Sequence, residues 1–375
     1  MKPLLKNISF LIILSFGLKA QIYNYGAEYM FFYTQPNARS EAMGKGNSAF
    51  TGSPFMSINN PASSFFLKGL NAELTHIDFN YPRFTSTCIY NAYGAGANLG
   101  KYGAFSFNYL HFVFGIPVEL PEGEALDIKL PVGHAEREAL GITLQRGPFP
   151  PLPFTNIYMM NYSYGLLENL AFGVNINFFE DANTEIYSKG WLLDAGFMKK
   201  FAISSPTGQH NLFLALSFSN LTNTMLEDEW RGQWYLPSVI QIGSVYEFEP
   251  KLRAFDFNIF KVLLSAEYYD LLNSSNYTQI RLGTELTILE MLKLRGGWYS
   301  ENLNDYRDKS TYDIEKINEF TFGFGFDINA AKVMKAEFPL TVMLGYTSFQ
   351  SPLFYTKQEN RLNSPLYSIG LNYGL

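Results

Sequence analysis

The sequence predicts an all-β protein: a transmembrane antiparallel β-barrel of fourteen strands. Three observations predict it. Apolar and polar residues alternate with period two in segment after segment. Each segment runs about 10 residues, the length a tilted strand needs to cross a bilayer. The chain holds 34 Phe, 25 Tyr and 4 Trp in 375 residues, and its alternating apolar faces are rich in Phe and Tyr.

Composition narrows the alternatives. Hydrophobic residues make up 47% and charged residues 17%, which excludes a disordered chain. The one cysteine, Cys88, allows no internal disulfide and reads as a small apolar strand residue. The formal charge is −6, without a cluster of Lys and Arg, so nucleic acid is not an expected partner.

The first element is an export signal. Lys2 and Lys6 precede a greasy stretch from Ile8 to Leu18, and Ala20 offers a small residue at a cleavage point. Residues 1–20 are therefore expected to be removed, with the mature chain starting at Gln21. Beyond residue 20 no run of 18 apolar residues occurs, so no spanning helix is expected.

Residues 67–375 form the predicted barrel. Phe320, Phe322, Phe324, Phe326 and Ile328 make one face, and Thr321, Gly323, Gly325 and Asp327 the other. Leu170, Phe172, Val174, Ile176 and Phe178 stand likewise against Ala171, Gly173, Asn175 and Asn177. The segment 366–375 ends the chain in the same pattern, Tyr367, Ile369, Leu371, Tyr373 and Leu375 forming its apolar side. A soluble sandwich also alternates; segment length, the aromatic faces and the aromatic end strand favour a membrane barrel. Strands are expected near 71–80, 84–95, 102–113, 155–165, 170–179, 190–203 and 210–219. The rest are expected near 236–248, 260–270, 277–288, 291–300, 319–328, 339–348 and 366–375. An even count places both barrel ends on the periplasmic side. The connection 114–154 carries seven prolines, from Pro117 to Pro153, and is expected to be an irregular outer loop. The connections 249–259 and 329–338 are long for periplasmic turns.

Residues 21–66 lack sustained alternation and are the segment to which a family resemblance assigns a hatch. They contain Ala42-Met43-Gly44-Lys45-Gly46, then Gly52-Ser53-Pro54, then Asn59-Asn60-Pro61-Ala62-Ser63. Downstream stand Leu193-Asp194-Ala195-Gly196, Ser219-Asn220-Leu221, Leu236-Pro237 and Leu294-Arg295-Gly296-Gly297-Trp298-Tyr299. In order and spacing these stretches resemble the PorV/PorQ family, which groups with FadL-like outer-membrane barrels. Lys45 stands where the family has a small residue. The resemblance implies a fourteen-stranded barrel around a hatch, with Met43, Gly44, Gly46, Asn60, Pro61 and Ala62 as the hatch motif. It implies one of two roles. PorV-like proteins bind exported cargo or translocon partners in type IX protein secretion; FadL-like proteins pass hydrophobic small molecules inward. The first is the leading expectation and the second the alternative. Expected partners are outer-membrane lipid, with type IX translocon or cargo proteins, or a hydrophobic ligand.

Five charged residues, Glu267, Arg281, Glu285, Lys293 and Arg295, fall on the wet faces of three consecutive strands. They predict an alternating-charge ladder on the lumen wall, with Glu285 opposite Lys293 and Arg295. Such a network fills a narrow hydrated barrel; a polar track to the hatch or a ligand is the functional alternative. Trp230, Trp234 and Tyr235 flank a predicted outer loop, as an interfacial girdle or a partner-docking patch. Enzyme signals are poor: His76, His111, His134 and His210 are scattered, and no metal, nucleophile or phosphate-loop motif occurs. Ser106 and His111 fall on opposite strand faces. No catalytic residue, metal site or cofactor is expected.

Overall fold

The computed structural model describes residues 34–374 apart from 81–85, 118–153, 184–185, 229–231, 255–256, 273–277, 303–315, 336 and 352–361. The predicted signal segment, the start of the hatch, most of the proline-rich connection and Trp230 lie outside the described residues. The strands are β1 (Leu70–Asn80), β2 (Ser86–Asn98), β3 (Ala104–Pro117), β4 (Phe154–Leu167), β5 (Leu170–Asn183), β6 (Ile186–Ser204) and β7 (Gly208–Ser219). A small pair follows, β8 (Met225–Asp228) and β9 (Gly232–Tyr235), then β10 (Val239–Pro250) and a second small pair, β11 (Arg253–Ala254) and β12 (Phe257–Asn258). The last are β13 (Phe260–Leu271), β14 (Thr278–Ile288), β15 (Leu292–Asn302), β16 (Lys316–Asn329), β17 (Leu340–Ser351) and β18 (Leu362–Tyr373). Leaving out the two small pairs, fourteen strands close into one antiparallel barrel, sealed by Leu70 opposite Tyr373.

All fourteen predicted segments are barrel strands. Several extend past the predicted ends, β6 over 19 residues. The long connection after β10 is occupied by the pair β11–β12, and that after β16 by a short helix, Ala330–Val333. In the 220–235 loop the pair β8–β9 sets Leu226 opposite Trp234 and Met225 opposite Tyr235.

The wall is inverted relative to a soluble protein. Phe320, Phe322 and Phe324 are 63%, 67% and 52% exposed on the outside, while Thr321 is buried inside. Met160, Ile176, Ile242, Ile280 and Ile369 are likewise exposed outward. Apolar surface turned outward over the whole girth, with every strand edge paired, suits lipid: bilayer core offers no water to unpaired backbone, and closure removes all edges. This is an outer-membrane type of barrel. Both ends of the barrel sheet lie on the side of the shorter turns, called here the turn side; the other is the loop side.

Residues 34–66 lie within the barrel. Asn37 starts a helix over Ala38–Ala42, its Oδ1 accepting from the Ser40 N–H at 2.9 Å. A second short helix spans Met56–Asn59. Asn60 caps a 3-10 helix over Pro61–Phe66, accepting from the Ala62 N–H at 3.0 Å, with Pro61 in the first position where no donor is needed. The first helix packs on β15–β18 and the 3-10 helix on β4–β6, so the hatch bridges opposite arcs of the wall.

Candidate functional site

The lumen has two unlike arcs. One is charged and holds the first part of the hatch. Glu267 on β13 and Arg281 on β14 are register partners and form an ion pair at 2.8 Å, both buried. Each also grips the hatch backbone: the Asn47 and Ser48 N–H groups donate to Glu267 Oε2 at 3.0 and 2.6 Å, and Arg281 Nη1 donates to the Lys45 carbonyl at 3.0 Å. Arg281 also lies 4.3 Å from the Tyr269 ring centre. Glu285 accepts from Arg295 Nε at 2.7 Å and from Arg39 Nε and Nη2 of the hatch at 3.1 and 3.0 Å. Lys293, expected beside Glu285, pairs instead with Asp327 on β16 at 2.5 Å. The register explains the difference: Glu285 faces Arg295, whereas Lys293 stands opposite Thr287 on one side and Gly325 on the other.

Arg39 belongs to the hatch and not to a spanning strand. Burial alone would lower its pKa, but Glu285, with Glu247 and Asp327, outweighs that and raises it. The guanidinium is a fixed positive charge on the hatch.

The Met43 to Gly46 stretch makes the closest approach. Gly44 and Lys45 both have positive φ, 69° and 65°, a conformation disfavoured for lysine. It aims the Lys45 carbonyl at Arg281. The Gly44 N–H donates to Thr321 Oγ1 at 2.9 Å, and that hydroxyl donates back to the Ala42 carbonyl at 2.9 Å. Gly297 faces this turn, and a Cβ on it would strike the Gly44 backbone. Lys45 is buried in an ion pair with Glu41 at 2.8 Å and lies 5.3 Å from the Tyr299 ring centre. At Gly46 a Cβ would find ordinary contacts with Arg281 and Glu267.

The Asn60-Pro61-Ala62 stretch docks on the opposite wall. Asn60 Nδ2 donates to the Ser48 and Phe197 carbonyls at 3.0 and 3.2 Å. Asn161 Nδ2 donates to the Pro61 carbonyl at 3.0 Å, and Asn175 Nδ2 to the Ser57 carbonyl at 2.8 Å. Behind them stands Asp194, which accepts from Asn175 and Asn177 side chains at 3.0 and 2.7 Å and from the Asn220 N–H at 2.8 Å. These asparagines were visible in the sequence only as wet-face residues; the signal for their role was Asp194 in the Leu-Asp-Ala-Gly stretch. Arg39 and Thr321 carried no local signal at all.

The second arc is apolar and belongs to the loop side. Ile77, Tyr90, Phe112, Ile157, Phe179, Leu192 and Leu366 face inward from seven adjacent strands, β18 and β1–β6, and all are buried. They join one cluster with Leu110, Leu236 and Phe55 of the hatch. Toward the turn side the same strands carry polar inner residues, such as Asn71, Ser106, Asn161 and Asn175, and on β4–β6 the buried Thr155, Asp181 and Ser188 stand level with Phe112 at the loop-side rim. At the boundary lies a cavity of about 70 Å³. Ile58, Leu110, Ile157, Leu192 and Val239 give it an apolar side, and Asn177, Asp194 and Gln241 a polar one.

Among the described residues no group of three or more metal-ligating side chains occurs. Ser106 faces inward, 2.9 Å from the Ser57 hydroxyl, while His111 is held by Asn156 on the outer surface.

No protein-family model matches the chain, and no curated protein does. Its shape is similar to several solved barrels. One is the toluene transporter TbuX of Ralstonia pickettii, at 10% identity and a TM-score of 0.47, over 92% of this chain and 100% of that one. A second is a FadL homologue of Pseudomonas aeruginosa, at 10% identity and a TM-score of 0.48, over 91% and 98%. A third is the toluene transporter TodX of Pseudomonas putida, at 10% identity and a TM-score of 0.43, over 94% and 98%.

Proposed function

We propose that this protein is an outer-membrane channel for hydrophobic small molecules, gated by its hatch. One observation carries the reading: the apolar arc of Ile77, Tyr90, Phe112, Ile157, Phe179, Leu192 and Leu366 on the loop side of the lumen. The interior of an outer-membrane barrel is ordinarily polar. Seven adjacent strands turning greasy side chains inward to the lumen make an entry suited to an apolar ligand. The arc leads to the cavity beside Leu110, Ile157 and Leu192, where a few polar groups among apolar ones have the composition of a small-molecule site. Below it the hatch blocks passage, so transport needs residues 34–66 to shift on the wall.

The type IX role implied by the sequence resemblance stands behind this reading. The Met43 to Gly46 and Asn60 to Ala62 stretches are engaged in packing and hydrogen bonds inside the barrel.

The test is uptake. Cells lacking their own hydrophobic channels would express the full chain and receive a labelled aromatic hydrocarbon or a labelled fatty acid. Uptake of either above the empty-vector control is expected, falling about tenfold when Phe112→Glu puts a charge on the arc, a penalty of 1.4 kcal/mol or more at the entry. A folded barrel that passes neither compound overturns the proposal.

A further inference from the structure

Two parallel rows of side chains cross the lipid-facing surface of one arc. The first is aromatic. Tyr93, Tyr109, Tyr158, Phe178 and Trp191 are register partners in successive strands β2–β6. Their neighbouring ring centres are 5.9, 4.9, 6.3 and 5.0 Å apart. The second row lies two residues nearer the loop side along each strand and begins one strand earlier, on β1. His76, Asn91, His111, Asn156, Glu180 and Lys189 are again consecutive register partners.

The polar row is tied together. His76 Nδ1 and Asn91 Oδ1 are 2.7 Å apart, as are His111 Nδ1 and Asn156 Oδ1. The Tyr109 hydroxyl donates to the same Asn156 oxygen at 3.0 Å, linking the two rows, and Asn156 Nδ2 donates to Glu180 at 3.2 Å. These bonds hold the imidazoles against the wall in fixed orientations; Asn156 is itself buried, its amide engaged by His111, Tyr109 and Glu180.

Position and chemistry then converge. Aromatic rows on a barrel surface mark the boundary between hydrocarbon and headgroups. Two residues further along a strand is about 6.8 Å, which places the polar row in the headgroup layer of the outer leaflet. Six strand positions at about 4.8 Å spacing make a strip about 24 Å wide. Glu180 and Lys189 offset each other in charge, the other four side chains are imidazoles and amides, and the Asp78 carboxylate lies beside the row, 3.3 Å from His76 Nε2. Without a cluster of cations this is not a phosphate cradle. A wide array of oriented donors and acceptors on an aromatic ledge suits hydroxyl and amide groups.

We infer that the outer rim of β1–β6 is a docking strip for the sugar head of an outer-leaflet glycolipid, with His111 at its centre, held in place by Asn156. The strip continues the lipid-facing belt already described, so its occupant comes from the membrane itself. The inference is independent of what passes through the lumen.

The experiment uses the purified full chain in mild detergent, offered lipid A, dephosphorylated lipid A, or phosphatidylglycerol, with bound lipid counted by native mass spectrometry. The wild type is expected to retain both forms of lipid A in preference to phosphatidylglycerol. The pair His111→Ala and Asn156→Ala should retain about tenfold less, the effect of losing one hydrogen-bonding side chain and the residue that orients it. Thr284→Ala, on the far arc, should retain as much as the wild type. If the pair fails to fold, as shown by loss of heat-modifiable gel mobility, His76→Ala with Asn91→Ala carries the same expectation. Equal retention of phosphatidylglycerol and lipid A, or a folded strip variant that retains lipid A like the wild type, overturns the inference. Loss of binding on dephosphorylation overturns the assignment to sugar and points to phosphate.

Discussion

Arg39 of the hatch and Glu285 of the wall, 246 residues apart in sequence, form a two-pronged contact, Nε and Nη2 donating to the two carboxylate oxygens at 3.1 and 3.0 Å. Arg295 approaches one of those oxygens from the wall at 2.7 Å. One carboxylate therefore holds two guanidinium groups, one of them on the hatch. Loss of Glu285 and loss of Arg39 should differ. Glu285→Ala leaves Arg295 buried without its carboxylate and should destabilise by about 3–5 kcal/mol. Arg39→Ala leaves the wall pair intact, and its partly exposed contact should cost about 1–2 kcal/mol. Urea titration of the refolded barrel in detergent would check the order; equal losses would contradict it.

Gly296 and Gly297 are neighbours with opposite surroundings. A Cβ on Gly297 would meet the backbone of Met43 and Gly44, whereas one on Gly296 finds nothing nearer than 3.9 Å. Gly297→Ala should unseat the Met43 to Gly46 turn and speed amide exchange at residues 38–48. Gly296→Ala, on the outer face, should leave exchange there unchanged.

Asp194 accepts three hydrogen bonds and donates none. Asp194→Asn keeps its shape but turns one acceptor into a donor facing other donors. A loss of about 1–3 kcal/mol is expected, the cost of an unsatisfied buried group. Denaturant midpoints would measure it, and the change should also loosen the hatch near Ser57, which hangs from Asn175.

Phe322 is 67% exposed on the outer wall. Phe322→Arg places a charge on the lipid face, and at the bilayer midplane this costs about 2–4 kcal/mol. Refolding into vesicles should show that loss, while Phe322→Leu should change little. A neutral Phe322→Arg would mean that this face does not meet lipid.

The barrel was legible in the sequence because a strand writes its two environments directly into alternate residues. The segment from Phe320 to Ile328 shows lipid on one side and hatch or water on the other. Strand ends were less legible for the same reason. β6 continues to Ile186 and Ser204, past the predicted 190–203, and β16 starts at Lys316 instead of 319. Beyond the bilayer both faces are wet, and the alternation that reports a strand fades. The hatch contacts were not legible. Nothing near Arg39 announces Glu285, and nothing near Thr321 announces Gly44, because those contacts depend on where a closed wall brings distant residues. The rows led by Tyr109 and His111 were hidden differently: each strand shows one ring or one polar residue, and only the register aligns them.

The hatch bridges two arcs that lie far apart in sequence. Its Asn60-Pro61-Ala62 half bonds to Asn161, Asn175 and Phe197, the last 137 residues downstream. Its Ala38–Gly46 half waits for Arg281, Glu285 and Thr321, up to 279 residues away. Contacts so distant in sequence are slow to form, since long loops must close before they are rewarded. By loop length alone, the half on β4–β6 is expected to close before the half that carries Arg39, which needs β13–β16 in place.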